Sequence, residues 1–435
     1  MNDLKKYMAF LTKAVPHLVD SIFVKGEGAY IWDHNDRRYL DFTSGIGVTN
    51  TGHCHPKVVA AIHEQADLLL HLHQNTAFHA PMLRVLEALR AVVPPELDTF
   101  FFANSGAEAV ESAVKLARQA TKRPNIIVFQ RGFHGRTIGA MSLTASKTIF
   151  RAGYQPLMPG VFIAPYAYCY RCPKAEANPE KFGFDKDCNW ALEELDFILH
   201  SQTAPGETAA MLVEPILGEG GYIIPPRRFI QGLRKICDEH GILLIADEIQ
   251  SGFGRTGRYF AFEHFDIIPD ILIMAKGLAS GMPLSCIASK SQTMDQATPG
   301  SHGGTYGGNA LACAAAAASI RIYKEENLLE NAARLGEKLL ARLNKFKDEY
   351  PSIGDVRGLG LMAGVEFVKP GGRIPDKEKA MAVRNACVKS GLLILTCGTY
   401  DNIIRWIPPL IITAEQLEEG LRIFKNALEQ TAGMG

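Results

Sequence analysis

From about residue 100 to 290 the chain alternates short apolar runs with longer amphipathic stretches. The runs NIIVFQ (125–130), AAMLVEPI (209–216), ILLIADE (242–248) and DILIMAK (270–276) are rich in Ile, Val, Leu and Ala, and the amphipathic segment FIQGLRKICDEHG (229–241) lies between two of them. A strand with one wet face alternates apolar and polar residues, whereas one covered on both faces has no polar side to show. Continuous apolar strands separated by helices therefore predict an α/β core, a mainly parallel sheet sandwiched by helices. After Asn309 the pattern changes to an Ala-rich helix (310–326) and a charged amphipathic helix (328–350), and then to a mixture of strands (359–368, 392–398, 403–412) and helices. Near the start, YIWDHNDRRYLDF (30–42) reads as a hairpin with Asn-Asp at its turn, which suits a small sheet better than the parallel one. Both termini are thus expected to build a smaller α+β domain: 1–60 and 316–435 around a large domain at 61–315.

Composition narrows the partners. At 435 residues the chain is too long for one ordinary compact core. Lys plus Arg equals Asp plus Glu at 46 each, so no bulk field draws nucleic acid or an anionic membrane, and a small-molecule ligand is favoured. The first twenty residues lack an apolar run with a small-residue cleavage site, and their acidic residues and lack of Arg argue against a transit peptide. No run approaches the roughly 18 apolar residues of a spanning helix. The expectation is a cytoplasmic protein with no nucleic-acid or membrane partner. Nine cysteines, several in apolar stretches such as 312–314, read as buried free thiols rather than a disulfide framework.

Three places carry candidate chemistry. ILLIADE ends a buried strand with Asp247 and Glu248, and open α/β sheets bind ligands at the carboxyl ends of their strands. The alternative is a structural cap or ion pair. Lys276 follows another apolar strand directly and precedes a Gly-rich turn. Desolvation there lowers an ammonium pKa and makes the amine nucleophilic toward an aldehyde, although a lysine snorkelling out of the loop would leave the same letters. Asn104-Ser105-Gly106-Ala107 opens a well-patterned helix, whose first amides and dipole suit an anion. Ser105 with Glu108 three residues later could equally be a capping box. The combination of anion cradle, the aromatic-histidine pair of GFHGRT (132–137), Asp247 and Lys276, in that order within one core, is stronger than any of the three.

With these blocks in place, the sequence resembles the class III, fold-type I pyridoxal-phosphate aminotransferases along nearly its whole length. The run LLIADEIQSGFGRTGRYFAFEHFDIIPDILIMAKGLASGMPLS (243–285) carries the family's Asp-Glu-x-Gln-x-Gly-x-Gly-Arg-Thr-Gly and a lysine 29 residues after the aspartate (276 − 247). The resemblance implies pyridoxal 5'-phosphate held as a Schiff base on Lys276, with Asp247 on the ring nitrogen. It implies phosphate contacts from Ser105, Gly106 and Ala107, and Phe133 stacked on the ring with His134 beside it. Glu214 and Ile249 fall among the cofactor positions, and Gln250 near the ring hydroxyl. Thr305, in HGGTYGGNALA, would reach the phosphate of a neighbouring subunit, so the resemblance implies a homodimer with shared active sites and leaves open the pairing of dimers into a tetramer.

The resemblance also bears on substrate. Glu219 in GEGGY and Arg405 in NIIRWIPP match a switchable pair, in which Arg405 binds the α-carboxylate of glutamate or 2-oxoglutarate and Glu219 neutralises it when an ω-amine is bound. Arg136 would bind a distal carboxylate. Ile46 stands where the ornithine-type branch tends to have an aromatic residue, and points to 4-aminobutyrate or a similar ω-amino acid as amino donor, with a 2-oxo acid as acceptor. One segment departs from that branch: Tyr166 to Pro173, with Cys169 and Cys172 and then Cys188, looks like an insertion. Three cysteines with no nearby histidine fall short of a tetrahedral metal set, so no metal is expected. Some class III relatives with such an insertion are amino-acid racemases or epimerases, which makes that reaction the alternative alongside an ornithine or acetylornithine aminotransferase. A cofactor-binding protein without turnover is a third reading, disfavoured because every position the chemistry needs is filled.

Overall fold

The computed structural model describes residues 4–177 and 189–433. Three sheets organise the chain. The N-terminal part forms strands β1 (Phe23–Glu27), β2 (Tyr30–Asp33) and β3 (Arg38–Asp41), with the expected hairpin at residues 34–37, where Asp36 adopts φ 58°. The second sheet contains β4 (Thr99–Ala103), β5 (Asn125–Phe129), β6 (Val161–Ala164), β7 (Thr208–Val213), β8 (Leu243–Asp247), β9 (Ile271–Met274) and β10 (Ser285–Ser289), in the order β4-β10-β9-β8-β7-β5-β6. Six strands point the same way and β10 alone runs against its neighbours β4 and β9. The C-terminal part adds β11 (Ile353–Leu359), β12 (Met362–Phe367), β13 (Leu392–Leu393), β14 (Leu395–Cys397) and β15 (Ile403–Trp406).

The apolar strands follow from a sheet covered on both faces. Alternate residues of one strand enter different cores: Ile126 and Val128 pack with the helix Gly106–Thr121, while Ile127 and Phe129 pack with the helices Trp190–Ser201 and Arg227–His240. Met211 and Val213 divide from Ala210 and Leu212 in the same way. A fully buried aliphatic side chain contributes about 1.5–3 kcal/mol, so neither face tolerates a polar residue.

The two ends of the chain meet in one sheet. Leu392 and Leu393 of β13 pair in parallel with Leu40 and Asp41 of β3, so the first small sheet, β1-β2-β3-β13, draws on both ends of the chain. The second, β11-β12-β15-β14, is antiparallel throughout. The Ala-rich helix Ala310–Glu325 buries nearly every alanine against the helices Pro56–Ala66 and Ala80–Arg90, because small side chains let three helices approach closely. Among the described residues, no helix is long and apolar enough to cross a membrane.

Candidate active site

The carboxyl ends of the parallel strands converge on one cavity of about 350 Å³. Strand β5 lies between β6 and β7, so the chain reverses its direction of winding there, and the crevice outside such a switch point is where an open α/β sheet receives a ligand. Strand ends β4, β5, β7, β8 and β9 deliver respectively Gly106 and Ala107, Phe133 and His134, Glu214, Asp247, and Lys276 to its walls, joined by Glu219, Ile249 and Gln250.

Each side chain is held by its neighbours. Asp247 Oδ2 lies 2.8 Å from His134 Nδ1, and Oδ1 accepts the Ile249 N–H at 3.1 Å. Both side chains are almost fully buried, so this carboxylate is oriented in a dry setting where its charge acts strongly. Glu248, next in sequence, faces the other way and bonds Ser251 Oγ and the Phe262 N–H inside the core. Of the two strand-end carboxylates, only Asp247 reaches the cavity. Glu214 accepts the backbone N–H groups of Phe133 at 2.8 Å and Gly218 at 2.7 Å, and so fixes the loop that presents Phe133. Desolvation drives its carboxyl up to about 7, helped by Asp247 and opposed by His134.

Lys276 sits directly beyond β9 with φ 47°, a left-handed conformation that costs a non-glycine residue of order 1 kcal/mol. Its side chain opens to the cavity and is otherwise enclosed. Desolvation first, and the positive charge of Arg405 second, bring its ammonium down to about 8 against the pull of Asp247, Glu214 and Glu219. Near neutral pH a far larger share of such an amine is neutral than of an ordinary lysine.

At the helix start, both sequence readings hold at once. Ser105 Oγ accepts the Glu108 N–H at 3.3 Å and Glu108 Oε2 accepts the Ser105 N–H at 3.1 Å, a complete capping box. The Ser105 hydroxyl accepts in the helix cap and keeps its own O–H free to donate, while Gly106 and Ala107 line the cavity with first-turn amides that have no intrahelical acceptor. A Cβ at Gly106 would stand 2.8 Å from Ile249 Cδ1, so any larger residue there would have to turn the end of the Ile249 side chain aside.

Arg405, 5% exposed, donates to Glu219 Oε2 at 3.0 Å, which joins β15 to the loop after β7. The remaining expected residues lie off the cavity wall. Arg136 is exposed with its guanidinium 4.4 Å from the Phe150 ring centre and 5.7 Å from that of Phe133. Thr305 is exposed on the loop after Gly304. Ile46 is 40% exposed in a turn where Ser44, Gly45, Ile46 and Gly47 all have positive φ, between 47° and 76°. Such a conformation is a genuine outlier for a β-branched residue. Cys169 and Cys172 flank a short turn at residues 169–171; Cys188 lies outside the described residues. Several lining residues escaped sequence reasoning, among them Met282, Pro283 and Leu284. Val48 lines the cavity, and Lys147 lies 2.9 Å from Glu219 Oε1; neither has a local pattern that marks it.

These residues suit an anionic aromatic aldehyde: amides for a phosphate, a low-pKa amine for the aldehyde, and a buried carboxylate for a protonated ring nitrogen. Gln250 supplies an amide whose Oε1 is buried with no partner among the described residues, and whose nitrogen and oxygen are interchangeable by a flip. A parallel sheet with such a crevice defines the fold-type I class of pyridoxal-phosphate enzymes. Within it, the chain belongs to the class-III aminotransferase family, whose model matches residues 12–428, and it depends on pyridoxal 5'-phosphate. It is 44% identical to a probable 4-aminobutyrate aminotransferase of Bacillus subtilis, over 96% of this chain and 95% of that one. It is 39% identical to an alanine/serine racemase of Pyrococcus horikoshii, over 94% of this chain and 85% of that one. Among solved structures, an aminotransferase of Bacillus anthracis superposes with a TM-score of 0.89 at 32% identity, covering 98% of each chain.

Proposed function

We propose that this enzyme moves the amino group of an ω-amino acid, of the size of 4-aminobutyrate, to 2-oxoglutarate, giving an aldehyde acid and glutamate. The observation that carries this reading is the buried Arg405–Glu219 pair at 3.0 Å beside Lys276. A lone arginine there would suit α-carboxylates only, and would repel the ammonium end of an ω-amine; with Glu219 as partner its charge is masked until a carboxylate competes for it. The 4-aminobutyrate aminotransferase similarity points the same way.

The bound cofactor supplies an electron sink for the pair released when the substrate C–H bond breaks. The protein's residues do the rest. Gly106 and Ala107 would hold the phosphate through backbone N–H groups, Phe133 would pack against the ring, and Gln250 would reach the ring hydroxyl. Asp247, oriented by His134, keeps the ring nitrogen protonated. Lys276 would hold the aldehyde carbon, and its low-pKa amine would serve as the general base and acid at the substrate carbon. Arg136 takes a distal carboxylate, Ile46 lies at the donor end, and Thr305 completes the phosphate site of a second subunit in a cytoplasmic homodimer.

A racemase would use the same lysine and aspartate but return the proton to the opposite face of the same carbon; the 39% identity to an alanine/serine racemase keeps this second reading in view. One experiment separates them. The purified holoenzyme is incubated with 4-aminobutyrate, ornithine and single-enantiomer α-amino acids, each with and without 2-oxoglutarate, and the products are resolved by chiral chromatography. Glutamate formed from 4-aminobutyrate only when 2-oxoglutarate is present supports the aminotransferase. Inversion of one enantiomer without any oxo acid would establish the racemase instead.

A further inference from the structure

If Arg405 leaves Glu219 to hold a substrate carboxylate, Glu219 remains behind as a largely buried anion, and an unpaired buried charge is costly. The structure supplies a second cation. Arg405 Nη1 holds Oε2 of Glu219 at 3.0 Å, and Lys147 Nζ lies 2.9 Å from the other oxygen, Oε1. The lysine side chain is only 12% exposed. Asp401 Oδ1 grips the same ammonium at 2.5 Å, and Lys377 holds the far oxygen of Asp401 at 3.0 Å. The Gly398 N–H donates to the Glu219 carbonyl at 2.8 Å, so the loop after β14 that carries Asp401 is tied to the backbone of Glu219. Burial acts to lower the Lys147 pKa, and the two carboxylates outweigh it, so the group stays charged.

We propose that Lys147 is a positioning residue that holds Glu219 while Arg405 is away, and thereby sets the enzyme's affinity for α-carboxylate substrates. This rests on the exchange proposed for Arg405 and Glu219. Two effects act in the same direction. With Lys147 in place, the charge of Glu219 is divided between two cations, so Arg405 is bound less tightly and is released more easily. Once Arg405 has moved, Glu219 keeps an ion pair. Neither effect is needed when an ω-amine occupies the site, because Arg405 then stays on Glu219. Asp401 competes with Glu219 for Lys147, so removing Asp401 strengthens the Lys147–Glu219 pair and frees Arg405 further.

The test is to follow the two half-reactions of the holoenzyme separately by its absorbance, with 4-aminobutyrate and with glutamate, in wild type, Lys147→Met, Lys147→Arg and Asp401→Asn. Lys147→Met is expected to raise the KM for glutamate by about tenfold to a hundredfold, with the 4-aminobutyrate half-reaction changed less than about twofold. Lys147→Arg restores the glutamate KM, and Asp401→Asn leaves it unchanged or lowers it. Equal losses in both half-reactions, or a raised glutamate KM in Asp401→Asn, overturn the proposal; the latter decides the matter even if Lys147→Met does not fold. A wild type that reacts with glutamate but with no ω-amino acid overturns the proposed exchange itself, and this inference with it.

Discussion

The two ends of the cavity treat buried charge in opposite ways. Around Asp247 the charges are locked: His134 at 2.8 Å, the Ile249 N–H at 3.1 Å, and Glu214 nearby with each of its oxygens bound to a backbone amide. Around Glu219 they are shared: one carboxylate lies between Arg405 and Lys147, and Arg405 Nε is buried with no partner among the described residues. Fixed partners suit the role proposed for Asp247, which is to hold one ring atom in every turnover. Shared partners suit a group that must face a carboxylate in one half of the reaction and none in the other. The difference teaches that buried ion pairs are not interchangeable units: backbone N–H groups bind both carboxylates of the first set, whereas in the second two side-chain cations compete for one carboxylate.

Breaking the locked end should have the largest effect. Lys276→Ala is expected to lower kcat by about ten-thousand-fold or more, since anchor and proton carrier are lost together; steady-state assays at saturating substrate check this. Asp247→Ala should lower kcat by about a thousandfold while cofactor affinity changes far less, as measured by titrating the apoprotein. At the shared end, Arg405→Met should raise the KM for 2-oxoglutarate by about a hundredfold and that for 4-aminobutyrate only slightly. The same variant sharpens the comparison through pH. Burial and Arg405 both lower the Lys276 pKa, so the apoprotein should condense with a small aldehyde faster as pH rises, levelling off above about 8. Removing Arg405 should move that midpoint upward, and an unmoved midpoint would show that the two ends are electrically independent. The smallest effect on stability belongs to Ser105→Ala, which should cost about 1 kcal/mol in urea unfolding through the lost helix cap.

What the sequence revealed follows the same division. The strands were legible because a doubly covered sheet requires unbroken apolar runs, and Asp247 and Lys276 stood out as charges at the ends of such runs. The reversed direction of β10 left no trace, since Ser285–Ser289 is as fully buried as β7 and β9 of the parallel set. Glu248 could not be told from Asp247 by letters alone, because successive residues leave a strand on opposite sides. The Arg405–Glu219 pair was visible only through family resemblance, the partners being 186 residues apart in the chain. Lys147 and Asp401 are 254 residues apart and meet only after the large sheet and the C-terminal sheet have docked. Local pattern records which side chains are buried; it does not record which distant charges they meet.

The parallel pairing of Leu40 with Leu392 also constrains how the protein is made. A ribosome adding about 5–20 residues per second needs roughly 20–70 s to pass from one partner to the other. Throughout that interval β3 presents an open edge with no neighbour on that side, while the central sheet behind it can already form. The N-terminal hairpin therefore needs shielding from other chains during synthesis, and protease digestion of stalled, ribosome-bound chains should cut there until residue 393 has emerged.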